Sequence, residues 1–249
     1  MDERLPLDEM VQQQENLRAS GAAQLIRAWN ALDIAWYTLD WNASEILKLH
    51  EALNNRNLNR RKLWDDHETM SWLFADACRH FHNFLAAASS LVEHSRNHRK
   101  RFYSEHSFGE EWQLKVAAEL ASAPTQRLVQ GLRNYNLHRK LPIEDVSHTV
   151  HLDGKTGGQT EKAFFVLRRD SLLEWDGWDA IAKDYLLQSS AHIDVSSVIN
   201  DYLELVRPFH QWRQQKEEQI NSQAMQDLSH GSRVPPRAVR PVLRSASRR

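Results

Sequence analysis

Apolar residues recur along most of this chain at steps of three and four, the spacing that gathers them on one side of an α-helix. Leu25, Trp29, Leu32, Trp36 and Leu39 form one such stripe across 22–39. Asn42 followed by Glu45 has the form of a capping box and predicts a second helix carrying Ile46, Leu49 and Leu53. The Asn-rich stretch 54–59 reads as a polar connection. The longest helical pattern runs over about 67–103. Within it Met70, Ala77, Phe84 and Leu91 repeat every seven residues, which suits helix-on-helix packing. Gly109 reads as an interruption, followed by a shorter helix over 110–121 around Trp112, Val116 and Leu120. Pro124 sits at a favoured first-turn position and opens the helix that holds Leu128 and Leu132, and Pro142 closes it.

The period then changes. Val146, His148, Val150 and Leu152 alternate with polar residues, and 163–167 is a second β-prone run. The turn-rich cluster 153–158 between them makes a β-hairpin with a long tip. Helical spacing returns over 171–187 and 193–221. In the latter, Val195, Val198, Ile199, Tyr202, Val206, Phe209 and Trp212 mark the buried side, and Pro208 is expected to bend the helix. After about residue 222 the pattern stops. The expectation is a mainly α fold: a helical bundle with one β-hairpin near 146–168 and a disordered basic C-terminal tail. A single domain spans 1–222, and 223–249 is a flexible Arg-rich extension.

Composition narrows the class. The chain has 249 residues, 41% of them hydrophobic, and nine Trp supply large apolar anchors, so a well-packed interior is feasible. The longest uncharged apolar run, 84–92, falls far short of the ~20 residues that a membrane span requires. The polar, acidic start lacks the form of a signal peptide. Cys78 is the only cysteine, which excludes an intramolecular disulfide and fits a cytoplasmic location. The formal net charge of −1 hides an asymmetry. From residue 230 onward there are six arginines and no acid, so the body before them is more acidic than the total. Such a body is not a general nucleic-acid surface, and any RNA contact must use local basic clusters or the tail.

Candidate chemistry concentrates in Arg133-Asn134-Tyr135-Asn136-Leu137-His138. A guanidinium can hold a phosphate, and an imidazole can move a proton near neutral pH. Arg133 and His138 are five apart, about 140° around an ideal helix, whereas Asn134 and His138 are four apart and share a face. Arg133 would therefore neutralise the phosphate, Asn134 would orient, and His138 would act as general acid/base. Tyr135, with Arg96 and Arg99 from the long helix, would contact the substrate. RNA cleavage needs both a base for the 2′-hydroxyl and an acid for the leaving 5′-oxygen. One histidine cannot readily do both, and a symmetric dimer would supply a second.

Arg followed by Asn, three residues and His, late in a bundle with long preceding helices, resembles the HEPN superfamily over about residues 20–140. The resemblance implies metal-independent endoribonuclease activity without a cofactor. It also implies a homodimer with a composite cleft, and a role in toxin–antitoxin or anti-phage systems, with an antitoxin or other protein as partner. The competing expectation is a non-catalytic helical interaction module.

Other features carry less chemistry. His94 with His98, and Cys78 with His82, have the four-residue spacing that lets two side chains share a metal, but neither has further ligands nearby in sequence. A solvated polar face is the plainer reading, and no metal site is expected. Trp175 and Trp178 read as packing groups, with a partner surface as the alternative. The tail arginines suit either RNA contact or simple solvation.

Overall fold

The computed structural model describes residues 11–12, 15–16, 19–54, 66–152 and 159–222. The fold is mainly α: among the described residues from Gly21 onward there are seven helices of five residues or more and a small antiparallel sheet. Helix α1 (Gly21–Asn54) pairs along its length with α2 (His67–Tyr103). The chain then forms α3 (Ser107–Glu119), α4 (Pro124–His138), β1 (Ile143–Leu152), β2 (Gln159–Arg168), α5 (Arg169–Leu173), α6 (Ala180–Gln188), β3 (His192–Asp194) and α7 (Val195–Ile220). None of the described helices is long and apolar enough to cross a membrane.

The predicted break inside the first helix does not occur. The stripe Leu25, Trp29, Leu32, Trp36, Leu39 continues through Ala43, Ile46 and Leu53 without a change of phase, all of them buried. Asn42 lies within that helix, and its side-chain amide donates to the Thr38 carbonyl (2.8 Å) instead of capping a new one. Helix α2 begins where expected because the Asp66 carboxylate accepts from the Thr69 N–H. Gly109 lies inside α3 and does not interrupt it. The α2–α3 corner is so tight that a Cβ at Gly109 would stand 1.8 Å from the Tyr103 carbonyl oxygen.

The hairpin forms as predicted, with Val146 opposite Phe165 and His148 opposite Ala163. Its tip, 153–158, lies outside the described residues, as does the tail from residue 223. The single helix expected over 171–187 is two. Between them the indole N–H of Trp178 donates to the Leu172 carbonyl (2.7 Å), and Asp179 caps α6 by accepting from the Ala182 N–H. A short strand, β3, also escaped prediction. It pairs antiparallel with β2, so β2 is the central strand. The side chain of Asn54, at the end of α1, donates to the Ala163 carbonyl (2.7 Å) and accepts from the Ala163 N–H (2.9 Å), tying helix to sheet.

Helix α7 runs through Pro208 to Ile220. Proline removes the bond to the carbonyl four residues earlier, and both Pro208 and Glu204 are exposed, so water can serve that carbonyl. The main core gathers α1, α2, α4, α7 and the sheet, while Leu25, Trp29, Tyr103, Phe108, Trp112 and Phe209 form a smaller cluster at one end.

Gly109→Ala is expected to cost about 3 kcal/mol, because backbone rather than a movable side chain would meet the new methyl group. An unchanged midpoint in urea unfolding would contradict this packing.

Candidate functional site

Helix α4 buries Leu128, Val129, Leu132 and Tyr135 along one stripe. That stripe fixes the flanks. Arg133 is half-buried beside it and donates from Nη1 to Asn134 Oδ1 (3.2 Å), with no carboxylate partner among the described residues. Its side chain lines a narrow groove between α4 and α2, shared with Glu93 and Arg96 and floored in part by Tyr202. The two helices run antiparallel along this seam. Asn136 meets His82 (2.7 Å) near one end, and Gln126 faces Arg96 near the other.

His138 is exposed in the last turn of α4 and lies outside the groove lining. Leu137 and Leu141 beside it are 51% and 49% exposed. Tyr135 does not occupy a substrate-facing position. It is 1% exposed, stacked on Trp178 (6.0 Å) with Trp175 edge-on (5.7 Å). Three residues beyond Leu132, it falls on the core face of the helix. The packing is close enough that a Cβ at Gly131 would lie 2.4 Å from the Trp178 ring.

The groove opens into a larger cavity of about 650 Å3 between α2, α3, the first half of α4 and α7. Arg96, Arg99, Lys100 and Arg127 line it. Arg96 is paired with Glu93 (2.6 Å). Arg99 donates to the Gln113 side-chain oxygen (3.0 and 3.1 Å) in the amide orientation that satisfies both groups. These are the two α2 arginines that the sequence offered as substrate contacts, and they share this lining.

The metal-spaced pairs are taken apart by their helix. His98 is buried while His94 is exposed. Cys78 is buried, which pushes its thiol up to about 11, and His82 is exposed and held by Asn136. Among the described residues no group of three or more His, Cys, Asp or Glu side chains is placed to hold a metal ion.

Beneath the cavity lies a polar network that sequence reasoning missed. Glu217, 1% exposed, takes His98 Nε2 on one oxygen (2.5 Å) and Arg213 Nη1 on the other (2.5 Å). An ionised carboxylate only accepts, so the His98 proton sits on Nε2. Arg213 also approaches Asp33 of α1 (3.5 Å) and His210 Nδ1 (3.4 Å), and Trp36 stacks on the His210 ring (4.7 Å). A signal was present: the stripe Tyr202, Val206, Phe209 continues in step onto Arg213 and Glu217, placing charge at core positions. Burial and the neighbouring Arg213 guanidinium push His210 down to about 3. Comparison with protein-family models, curated proteins and solved structures finds no match for this chain.

Two outcomes follow. Glu217→Gln leaves the Arg213 guanidinium buried without its main counter-charge and should cost about 3–5 kcal/mol in chemical unfolding. For His210, the unfolded chain takes a proton below the ordinary value of 6.5 that the folded chain refuses until about 3. Stability therefore falls as pH drops through that window, by up to about 1.4 kcal/mol per pH unit. His210→Phe keeps the stacking on Trp36 and should flatten the slope; an unaltered pH profile would exclude this origin.

Proposed function

We propose that this chain is a metal-independent endoribonuclease of HEPN type that acts as a homodimer in toxin–antitoxin or anti-phage defence. The observation that carries the reading is the state of Arg133. It is a guanidinium in no ion pair among the described residues, set in a groove whose one carboxylate, Glu93, is paired with Arg96, and five residues from an exposed histidine. An unneutralised guanidinium in such a place is suited to a phosphate.

In the proposed reaction, one imidazole removes the 2′-hydroxyl proton, and the oxygen attacks the adjacent phosphorus. The bond to the 5′-oxygen breaks as a second, protonated imidazole gives that oxygen its proton. Arg133 stabilises the negative charge that gathers on the phosphate oxygens, and Asn134 holds the guanidinium in place. The two imidazoles are His138 from each of two copies. Burial of Leu137 and Leu141 between the copies would contribute to association while bringing the histidines together. Tyr135 has no direct part, since it belongs to the core.

A second reading, a non-catalytic interaction module, draws on two observations. His138 lies outside the groove that Arg133 lines, and α1 leaves Ile34, Tyr37 and Trp41 exposed at helical spacing.

The test is RNA cleavage by purified wild type, His138→Ala and Arg133→Ala with chelator present. Each variant should lose at least about a hundredfold in rate. Leu137→Glu should convert dimer to monomer in analytical ultracentrifugation and abolish cleavage together. Equal activity of wild type and His138→Ala would leave only the interaction module.

A further inference from the structure

We propose that the cavity between α2, α3, α4 and α7 binds an amphipathic anion: a small molecule with an apolar body and a carboxylate or phosphate head. Its volume of about 650 Å3 lies in the range of pockets that enclose small organic ligands. The walls are apolar, contributed by Trp112, Val116, Leu120, Val206 and Phe209. A hydrocarbon or aromatic body placed among them leaves water, which is the favourable direction of transfer.

The charged lining is one-sided. Arg96, Arg99, Lys100 and Arg127 face Glu93 as the single carboxylate. Glu93 is taken by Arg96 and Arg127 is paired with Asp179 (3.7 Å), whereas Arg99 meets only the neutral Gln113 and Lys100 has no side-chain partner among the described residues. Positive charge is thus left over here, in a chain whose formal net charge is −1, so the excess is local. That is where an anionic head belongs.

The floor sets the opposite end. Arg213 is committed to Glu217 and Asp33, so it offers no net charge to another anion. It offers hydrogen bonding instead. His210 and Arg213 line the cavity at 6% and 1% exposure; among the described residues Arg213 Nε has no hydrogen-bond partner, and His210 Nε2 stands 3.9 Å from Asp33 Oδ1, beyond hydrogen-bond reach. Arg213 Nη2 approaches His210 Nδ1, which makes Nδ1 the acceptor and leaves the proton on Nε2. Both orphan groups are therefore donors, and the inner end of the ligand carries an acceptor oxygen, a hydroxyl or carbonyl. The inference does not rest on the nuclease reading, since His138 is outside this lining.

Isothermal titration of the full chain tests it with dodecanoate, dodecyl phosphate, 12-hydroxydodecanoate and dodecanol. One saturable site per chain is expected, with the better anion at least about tenfold tighter than dodecanol. Comparing dodecanoate with dodecyl phosphate identifies the head, and the hydroxylated acid should bind tighter than dodecanoate. Arg99→Glu/Lys100→Glu should weaken the better anion about tenfold. Ala117→Trp, at an exposed residue of the cavity wall, should abolish binding while circular dichroism stays native; Ala121→Trp serves if that variant fails to fold. His138→Ala should leave the affinity unchanged. Equal affinity for dodecanol, undiminished binding with the wall filled, or no saturable binding would each overturn the proposal.

Discussion

The carboxylate of Glu217 is the interaction on which the arrangement of the helices depends. Removing such an ion from water costs several kcal/mol, and the loss is offset only when both oxygens are met. Here one oxygen meets α2 through His98, and the other meets Arg213 of the same helix, whose guanidinium reaches on to Asp33 of α1. The short bond to His98 ties α7 to α2, and the looser ion pair of Arg213 with Asp33 (3.5 Å) links α7 to α1. Apolar packing alone tolerates small slips between helices, whereas bonds of this length do not. The rotation of α7 that satisfies Glu217 also turns Tyr202, Val206 and Phe209 toward the open space bounded by α2 and α3.

The other end of the bundle is set by aromatic packing. Tyr135 against Trp175 and Trp178 pins the last turns of α4 to the segment between α5 and α6. With that face fixed, Arg133 must fall on the flank toward α2, and His138 lies exposed in the last turn. The seam between α2 and α4 then runs from the His82–Asn136 contact through Arg133 to the cationic mouth of the cavity. Two chemically different surfaces thus share one helix pair.

Much of this was legible in the residues, and the exceptions have physical reasons. The bounds of α2 and α4 follow from an uninterrupted apolar period, an Asp cap and two prolines. Asn42 misled because its amide has a choice between capping and bonding the carbonyl four residues back, and the continuing stripe decides for the latter. Gly109 misled because a glycine required by close backbone approach looks the same in sequence as one that ends a helix. Strand β3 is three residues long, too short to establish an alternation. In the candidate site, Arg133, Asn134 and His138 are visible as types at a spacing, whereas Tyr135, expected to contact the substrate, shares the phase of Leu128 and Leu132 and so belongs to the core. The network of His98, Arg213 and Glu217 shows in the sequence only as charge falling on the apolar stripe of α7, without its partners. Its members are 119 residues apart at the widest, and only tertiary packing makes them partners.

The clasp of Asn54 on Ala163 has a bearing on solubility. Strand β3 covers β2 only from Val166 to Arg168, and at Asp194 the chain turns into α7. Beyond that point the flank of β2 would present bare main-chain groups, a template for strands of other molecules. The Asn54 amide occupies both groups at Ala163, imitating the neighbour that β3 fails to provide. One carboxamide thus blunts the edge against intermolecular sheet growth.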